Sequence, residues 1–426
     1  MKDTLSQSAR AEEIFQASRN ASEPEGIARL RANAFTQYEF LPTPKFERSN
    51  LANRSLDAFR LEAPLAPGAW EALADGMIGE DDAHPLIVLV DGHVMKTRGL
   101  TADGVIVTDM KSALVKHPEL VEKHIGKVVA SDENQLIALN TALFRNGAFV
   151  YLPRNAALTQ PIQLIAVTTQ GGYGSFTRNL IVAEEMSQVT FLDAYLTPAD
   201  LAEDLHVGVT EVVAMQGAVV RVGTIEEFSK DTTGIVLRRA NVERNANVQW
   251  VLGEIGDGYS VVEFGSRLLG DGSSSTSHAI ALGSGRSHMD ITSKMVHIGK
   301  FSESDTTARG VMQDQANAVY RGVTQIKKGA SGANGQQAEK LLMLSPESRA
   351  DAIPMLLIDE NDVKCGHAAS VGQINEDQLF YLMSRGLSEA TAKRMIVWGF
   401  IDPVLAELPL DGVRRAVEMI LERKLA

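Results

Sequence analysis

Only one cysteine occurs in the chain, Cys365, and a single thiol cannot form an internal disulfide. A reducing, cytoplasmic setting fits that scarcity. Positive charge is also in deficit, with 41 Lys and Arg against 54 Asp and Glu and a formal net charge of −13. A broad nucleic-acid surface needs the opposite balance, and anionic membranes are disfavoured for the same reason. No apolar run approaches the roughly 18 residues of a spanning helix. The opening MKDTLSQSARAEEIF lacks the apolar core of a secretory signal. Aromatic residues are sparse, at 6%.

Several chemical motifs are missing too. There is no G-x-x-x-x-G-K-[ST], so the chain has no phosphate-cradling loop of its own. Gly283-Ser-Gly285 is not continued to a third glycine at dinucleotide spacing. C-x-x-C and H-E-x-x-H are absent. A stable iron–sulfur cluster usually takes several thiolates, so most ligands of any cluster handled here must come from elsewhere.

What is present is an α+β beginning, a long β region and a helical end. Residues 1–40 read as helical, with Ala11, Ile14, Phe15 and Ala17 on one face. Ser22-Glu-Pro-Glu25 resembles a capped start, with Pro24 in the first turn, and Leu41-Pro-Thr-Pro44 ends that helix. HPLIVLVDGHVMKT reads as a hairpin turning at Asp91-Gly92, and GVIVTDM adds a strand. Lys111 to Gly126 and Glu133 to Leu143 read as helices.

From about Gly147 short strands alternate apolar and polar residues, from AFVYL to KLLML, with no amphipathic helix between them. That excludes a βαβ fold, whose crossovers are helices. Small-residue steps at Ser187, Gly217 and Asn245 recur at roughly 30 residues, a solenoid spacing. A sandwich shares the strand signals, but the small polar steps favour a β-helix. After Ile358 helices return: one capped by Asn375, one capped by Ser388 through Trp398 and closed by Gly399 and Pro403, and one from Asp411 to Lys424. The expected domains are 1–130 (α+β), 131–372 (parallel β-helix) and 373–426 (helical).

The chemistry-bearing residues each have a plainer reading. Cys365 and His367 lie two apart in an apparent strand and so share a face, where thiolate and imidazole can bind a soft metal. On spacing alone a packed thiol beside an ordinary histidine is the stronger reading, and a nucleophile–base pair the weakest. His278, His288 and His297 read as solvent-facing coil residues rather than a metal array. Glu184-Glu185 and Glu226-Glu227 read as a solvated edge, since adjacent strand residues face opposite ways. The apolar surface of Leu379-Phe-Tyr-Leu-Met383 suits either docking onto the chain's own sheet or a partner.

Long stretches of the chain resemble one family. ALNTALFRNGAFVYLPRNAALTQPIQL (138–164), LHVGVTEVVAMQGAVVRVGTIEEFSKD (205–231) and ESDTTARGVMQDQANAVYRGVTQI (303–326) resemble the core of the SufB/SufD family of iron–sulfur cluster assembly proteins. DENDVKCGHAASVGQINEDQLFYLMSRGLSEATAKRMIVWGF (359–400) is similar to its C-terminal signature. The hairpin region and Lys364-Cys-Gly-His367 resemble the SufD branch, with Gly366 where a serine is usual.

The resemblance implies a right-handed parallel β-helix between an N-terminal domain and a C-terminal helical one. It implies a non-catalytic scaffold subunit of the SUF system that pairs with a SufB-like paralogue through the β-helix, with a homodimer as the form open to the isolated chain. A SufC-like ATPase would be held by the C-terminal helices, here through Tyr381, Arg385, Met395, Trp398 and Phe400. That ATPase would carry the missing phosphate loop. His367, with Cys365 beside it, would meet iron or a nascent iron–sulfur cluster, transient and shared with the SufB-like chain; no tightly bound cofactor is expected. The alternative from another class is a β-helix carbohydrate lyase or hydrolase, which needs converging carboxylates.

Overall fold

The computed structural model describes residues 23–44, 46–49, 51, 60, 70–75, 77–78, 84–99, 104–407 and 411–424. The helical face expected at Ala11 to Ala17, and the cap at Ser22, lie outside the described residues.

The order begins with α1 (Glu25–Phe40), α2 (Glu71–Asp75), β1 (Leu86–Val90), β2 (His93–Arg98), β3 (Ile106–Asp109), α3 (Met110–Lys116), α4 (Pro118–His124) and α5 (Gln135–Leu143). Strands alone follow: β4 (Ala148–Leu152), β5 (Ile162–Val167), β6 (Gly174–Ala183), β7 (Gln188–Leu196), β8 (Asp204–Ala214), β9 (Val219–Glu227), β10 (Thr232–Val242) and β11 (Asn247–Glu254). They continue through β12 (Tyr259–Leu268), β13 (Ser274–Gly283), β14 (His288–His297), β15 (Glu303–Met312), β16 (Asn317–Ile326), β17 (Asn334–Met343), β18 (Arg349–Ile358) and β19 (Lys364–Gln373). The chain closes with α6 (Glu376–Ser384), α7 (Glu389–Leu405) and α8 (Asp411–Lys424).

Successive strands alternate between two sheets. One runs β2-β1-β5-β7-β9-β11-β13-β15-β17-β19, the other β3-β4-β6-β8-β10-β12-β14-β16-β18. Within β4 to β19 each strand pairs in parallel with the strand two further on, for example Ser277 with Thr306 and then Gln337 with His367. This is a parallel β-helix. Strands of the interior coils pair with the coils on either side, so the ladder runs along the solenoid axis.

Alternation sends one set of side chains into the space between the sheets. Val220, Val222, Val248, Trp250, Leu252, Phe264, Met289, Ile291 and Ala308 belong to that core. The outer face of the ten-stranded sheet is apolar as well. Leu192, Ile225, Val251, Ile280 and Val311 pack there against Val397, Ile401, Val404 and Leu405 of α7. The opposite sheet is covered near its start by α1 and α5, through Phe35, Leu136 and Leu139 on Leu205, Val207 and Ile235.

One corner of each coil turns through a residue with positive φ, and these residues stack. From Met186 onward side chain and glycine alternate: Met186 (φ 59°), Gly217 (70°), Asn245 (54°), Gly272 (69°), Phe301 (55°) and Gly332 (75°). Each donates its N–H to a carbonyl of the next coil, as Met186 does to Gln216 at 3.0 Å and Phe301 to Ser331 at 2.9 Å. The Met186, Asn245 and Phe301 side chains lie over Gly217, Gly272 and Gly332, where a Cβ would collide with them. Gly332→Ala therefore meets both the Phe301 ring and the left-handed penalty. We expect a loss of about 1–3 kcal/mol, read from the denaturation midpoint; an unchanged midpoint would mean the stack has slack.

Several local expectations change. Pro24 is the N-cap of α1 rather than a first-turn residue. The segment 111–126 is two helices, because Pro118 has no N–H to continue the first and begins the second. β3 does not extend the hairpin; it pairs antiparallel with β4 in the other sheet. β18 was not legible as a strand, since RADAIPMLLI contains Pro354; as the last strand of its sheet it tolerates proline. Gly399 and Pro403 do not close α7, which runs to Leu405 because Ile401, Val404 and Leu405 bury against the sheet.

Candidate functional site

The last coil, β18 and β19, has no coil above it. Among the described residues β19 pairs only with β17, and β18 only with β16. The register carries the inward row of the lower coils upward, so Gly335, Gln337, Glu339 and Leu341 lie beneath Cys365, His367, Ala369 and Val371. In β17 this row is buried; in β19 it is open, with Val371 42% exposed, and Ile358 on β18 also 42% exposed.

Cys365 and His367 do share a face. Cys365 is half-buried against Ile326, Ala330 and Ala333, while His367 is exposed. Burial pushes the Cys365 thiol above its usual value, the reverse of an activated nucleophile. Gly366 faces outward, where a Cβ would lie 2.8 Å from Gln336 Oε1. Below His367 the lumen is polar. Glu339 is fully buried, neither carboxylate oxygen has a partner on another residue, and burial raises its pKa to about 7. Gln337 is 4% exposed and its Nε2 has no partner.

His278, His288 and His297 form no array, and of the three only His297 is fully buried. His297 is buried, with Nδ1 2.9 Å from Ser302 Oγ and Nε2 2.8 Å from Ser304 Oγ. His288 lies 2.7 Å from Ser49 Oγ and stacks on Tyr259 at 4.5 Å, and His278 is half-buried. The solvent-facing expectation fails for His297, which sits on the inward phase of its strand with Met289, Ile291 and Met295, whereas the half-buried His278 lies on the outward phase. Among the described residues no group of three or more His, Cys, Asp and Glu side chains is placed to hold a metal.

Burial lowers the His297 pKa to about 4. Between pH 6.5 and 4 the unfolded chain therefore binds a proton that the folded chain refuses, and stability falls as pH falls. His297→Gln has no such titration. Its Tm deficit relative to the parent should shrink on going from pH 7 to pH 4.5; a constant deficit would show that His297 accepts the proton in place.

The solvated edge expected at Glu226-Glu227 is also corrected. Glu226 points into the lumen, is fully buried and pairs with Arg238. Arg238 also donates to Thr224 Oγ1 at 2.7 Å and lies 3.9 Å from Asp193. Burial drives the Glu226 carboxyl up, but Arg238 and a hydrogen bond with Glu254 together hold it below the usual range. Glu254, also buried, is pushed far above that range by burial and by Glu226, so it keeps its proton and donates it to Glu226. A second buried pair, Arg178 and Glu211 at 2.6 Å, joins β6 and β8 to the backbone at Gly126, Val128 and Val129. Neither cluster was found from the sequence. The signal was the strand phase: Glu226 and Arg238 continue the inward rows of Val220-Val222-Thr224 and Val236.

At the C-terminal end the candidate residues divide. Tyr381 is 56% exposed and accepts a 3.1 Å hydrogen bond from Arg385, whose guanidinium lies 5.1 Å from its ring. Met395 is 51% exposed. Trp398 and Phe400 instead lean on the chain's own sheet, Phe400 with the Arg309 guanidinium 5.1 Å from its ring. Between α6 and α7 a groove of about 420 Å³ is lined by Asn375, Asp377, Gln378, Tyr381, Leu382 and Ile396.

Fold and site together define a parallel β-helix protein whose chemistry-bearing histidine stands on an open coil end, not in a cleft. Its sequence matches two family models, "SUF system FeS cluster assembly, SufBD core domain" over residues 166–400 and "SufBD protein N-terminal region" over 82–164. The chain belongs to the SufBD family of iron–sulfur cluster assembly proteins. It is 36% identical over 415 residues to the iron–sulfur cluster assembly protein SufD of Bacillus subtilis, covering 94% of each chain. It is 33% identical over 320 residues to a SufBD family protein of Staphylococcus epidermidis, covering 75% of this chain and 68% of that one. A Staphylococcus haemolyticus relative gives the same identity and coverage. No helix among the described residues is long and apolar enough to cross a membrane. The carbohydrate-enzyme alternative loses its support, since the Glu226 it would recruit is sealed against Arg238.

Proposed function

We propose that this chain is a non-catalytic, cytoplasmic scaffold subunit of a SUF assembly complex. It pairs through the open coil end with a SufB-like paralogue and carries a SufC-like ATPase on its C-terminal helices. Iron, or a nascent cluster, is its cargo. The observation that carries this reading is the unpaired end of the solenoid. Two edge strands with an exposed inward row are an aggregation hazard unless something covers them. A second β-helix end offers the matching edges and rows, and a copy of this chain covers them when the paralogue is absent.

His367 stands on that end and so faces the other chain. Imidazole ligates iron without the permanence of a set of thiolates, which suits cargo in transit. Cys365, half-buried and with a raised pKa, serves as its packed neighbour. On the helices Tyr381, Arg385 and Met395 are free to meet the ATPase, with Trp398 and Phe400 seating α7 beneath them.

The test is His367→Ala in the co-expressed complex. Complex recovery and ATPase content should be unchanged, while cluster formed in vitro falls at least tenfold. A normal cluster yield would reject His367 as a ligand. Deleting the helices would strip the apolar sheet face under α7, so Tyr381→Asp is the cleaner probe of the ATPase contact. It should cut ATPase co-purification at least tenfold; undiminished co-purification would move that contact elsewhere.

A further inference from the structure

We infer that Glu339, one coil below His367, is a second ligand for the incoming ferrous ion. Together they make a two-point half-site that opens into the end of the lumen. This rests on the reading of His367 as an iron ligand and adds to it a residue that no exposed surface would reveal.

The placement comes from the register. Gln337 is directly beneath His367, and Glu339 is beneath Ala369, the next inward position along the strand. Such diagonal neighbours are within reach of long side chains. The carboxylate extends across the lumen toward Gly322 on the facing sheet, where a Cβ would collide with Glu339 Oε1 and lie 2.7 Å from Gln337 Oε1. Gly322 thus leaves room for a carboxylate and an amide oxygen that converge from β17. Tyr320, on the same strand as Gly322, is buried and senses the charge of Glu339.

The environment is unusual for a carboxylate. Around Arg238 the buried acids of the lumen are matched, Glu226 by Arg238 and Glu254 by Glu226; Asp204 on β8 is buried and, among the described residues, unmatched like Glu339, but only Glu339 lies next to the open coil end. Glu339 is fully buried, and among the described residues no cation faces it and no other residue donates to its oxygens. Leaving a buried acid without a partner is costly, and an apolar side chain would fill the same space without that cost. A divalent cation entering beside His367 supplies the missing positive charge. Imidazole nitrogen with carboxylate and amide oxygens is a donor set that ferrous iron accepts. Its remaining positions stay with water or with the chain that covers the coil end.

The experiment uses the full chain, without partners, titrated anaerobically with cobalt(II) as an optical stand-in for ferrous iron. The proteins are the parent, Glu339→Gln, Glu339→Asp and His367→Ala. The metal-free denaturation midpoint of each confirms the fold. Glu339→Gln should weaken cobalt binding at least tenfold, with Glu339→Asp intermediate, because aspartate keeps the carboxylate one methylene short. Parental affinity in Glu339→Gln, with weakened binding in His367→Ala, would overturn this inference and leave the proposed function standing. No saturable cobalt binding by the parent would also overturn it; the cluster yield of His367→Ala in the complex then decides the proposed function separately.

Discussion

Arg238→Leu is expected to destabilise the chain by about 3–5 kcal/mol, the largest effect of any single substitution in the lumen. Arg238 is the cation facing Glu226, Asp193 and Glu254, all fully or almost fully buried. Leucine keeps the volume and removes the charge. Glu226 must then either stay ionised without a partner or take up a proton, and Glu254 already holds one. The hydrogen bond to Thr224 is lost as well. Equilibrium denaturation at pH 7 measures the change. The double variant Arg238→Leu, Glu226→Gln should recover a large part of it, because the glutamine amide asks for no counter-charge. A single-variant loss under about 1 kcal/mol would mean that water reaches this cluster and the lumen is not dry there.

A comparable effect on assembly is expected from Val371→Glu. Val371 lies on the inward row of the last coil and is 42% exposed in the chain alone. The folded monomer therefore accepts glutamate with its carboxylate in water. When a second β-helix closes over this end, that carboxylate is trapped beside Ala369, Ala350 and Ala352, one coil above the buried Glu339, with no cation among this chain's described residues to meet it. An uncompensated charge in such a place costs about 3–5 kcal/mol, more than a hundredfold in Kd. The measurement is the Kd for a purified SufB-like chain, alongside the monomer's own midpoint. Binding within tenfold of the parent would place the pairing surface away from the coil end.

The solenoid was readable because its rule is local. Period-two alternation between small polar turns marks strands, and steps such as Ser187, Gly217 and Asn245 mark where coils begin. The rule failed where one residue carries two instructions. Pro354 reads as a break, yet an edge strand tolerates it. Pro403 reads as a stop, yet Val404 and Leu405 still bury behind it. Glu226 is charged and reads as a solvated edge, although it sits on the inward phase of its strand, as does its partner Arg238. A pattern scored for apolar residues alone does not see an ion pair in the lumen.

The candidate site was legible in part. That Cys365 and His367 share a face follows from their spacing, and the register bears it out. That His367 is open and Cys365 half-covered depends on β19 being the last strand, which spacing does not carry. The apolar residues of α6 and α7 posed a different ambiguity. A helix face that docks on its own sheet and one that awaits another protein have the same composition. Trp398 and Met395 differ only in which way the docked helix turns them.

The stacked corner residues bear on how such a chain can change length over evolutionary time. Because bulky and bare corners take turns from Met186 to Gly332, excising one rung would set Phe301 on Asn245, or leave two glycines facing with nothing between them. Duplication or loss therefore has to occur in couplets of rungs. Solenoids of this lineage should differ in rung number by even steps wherever that column of corners persists.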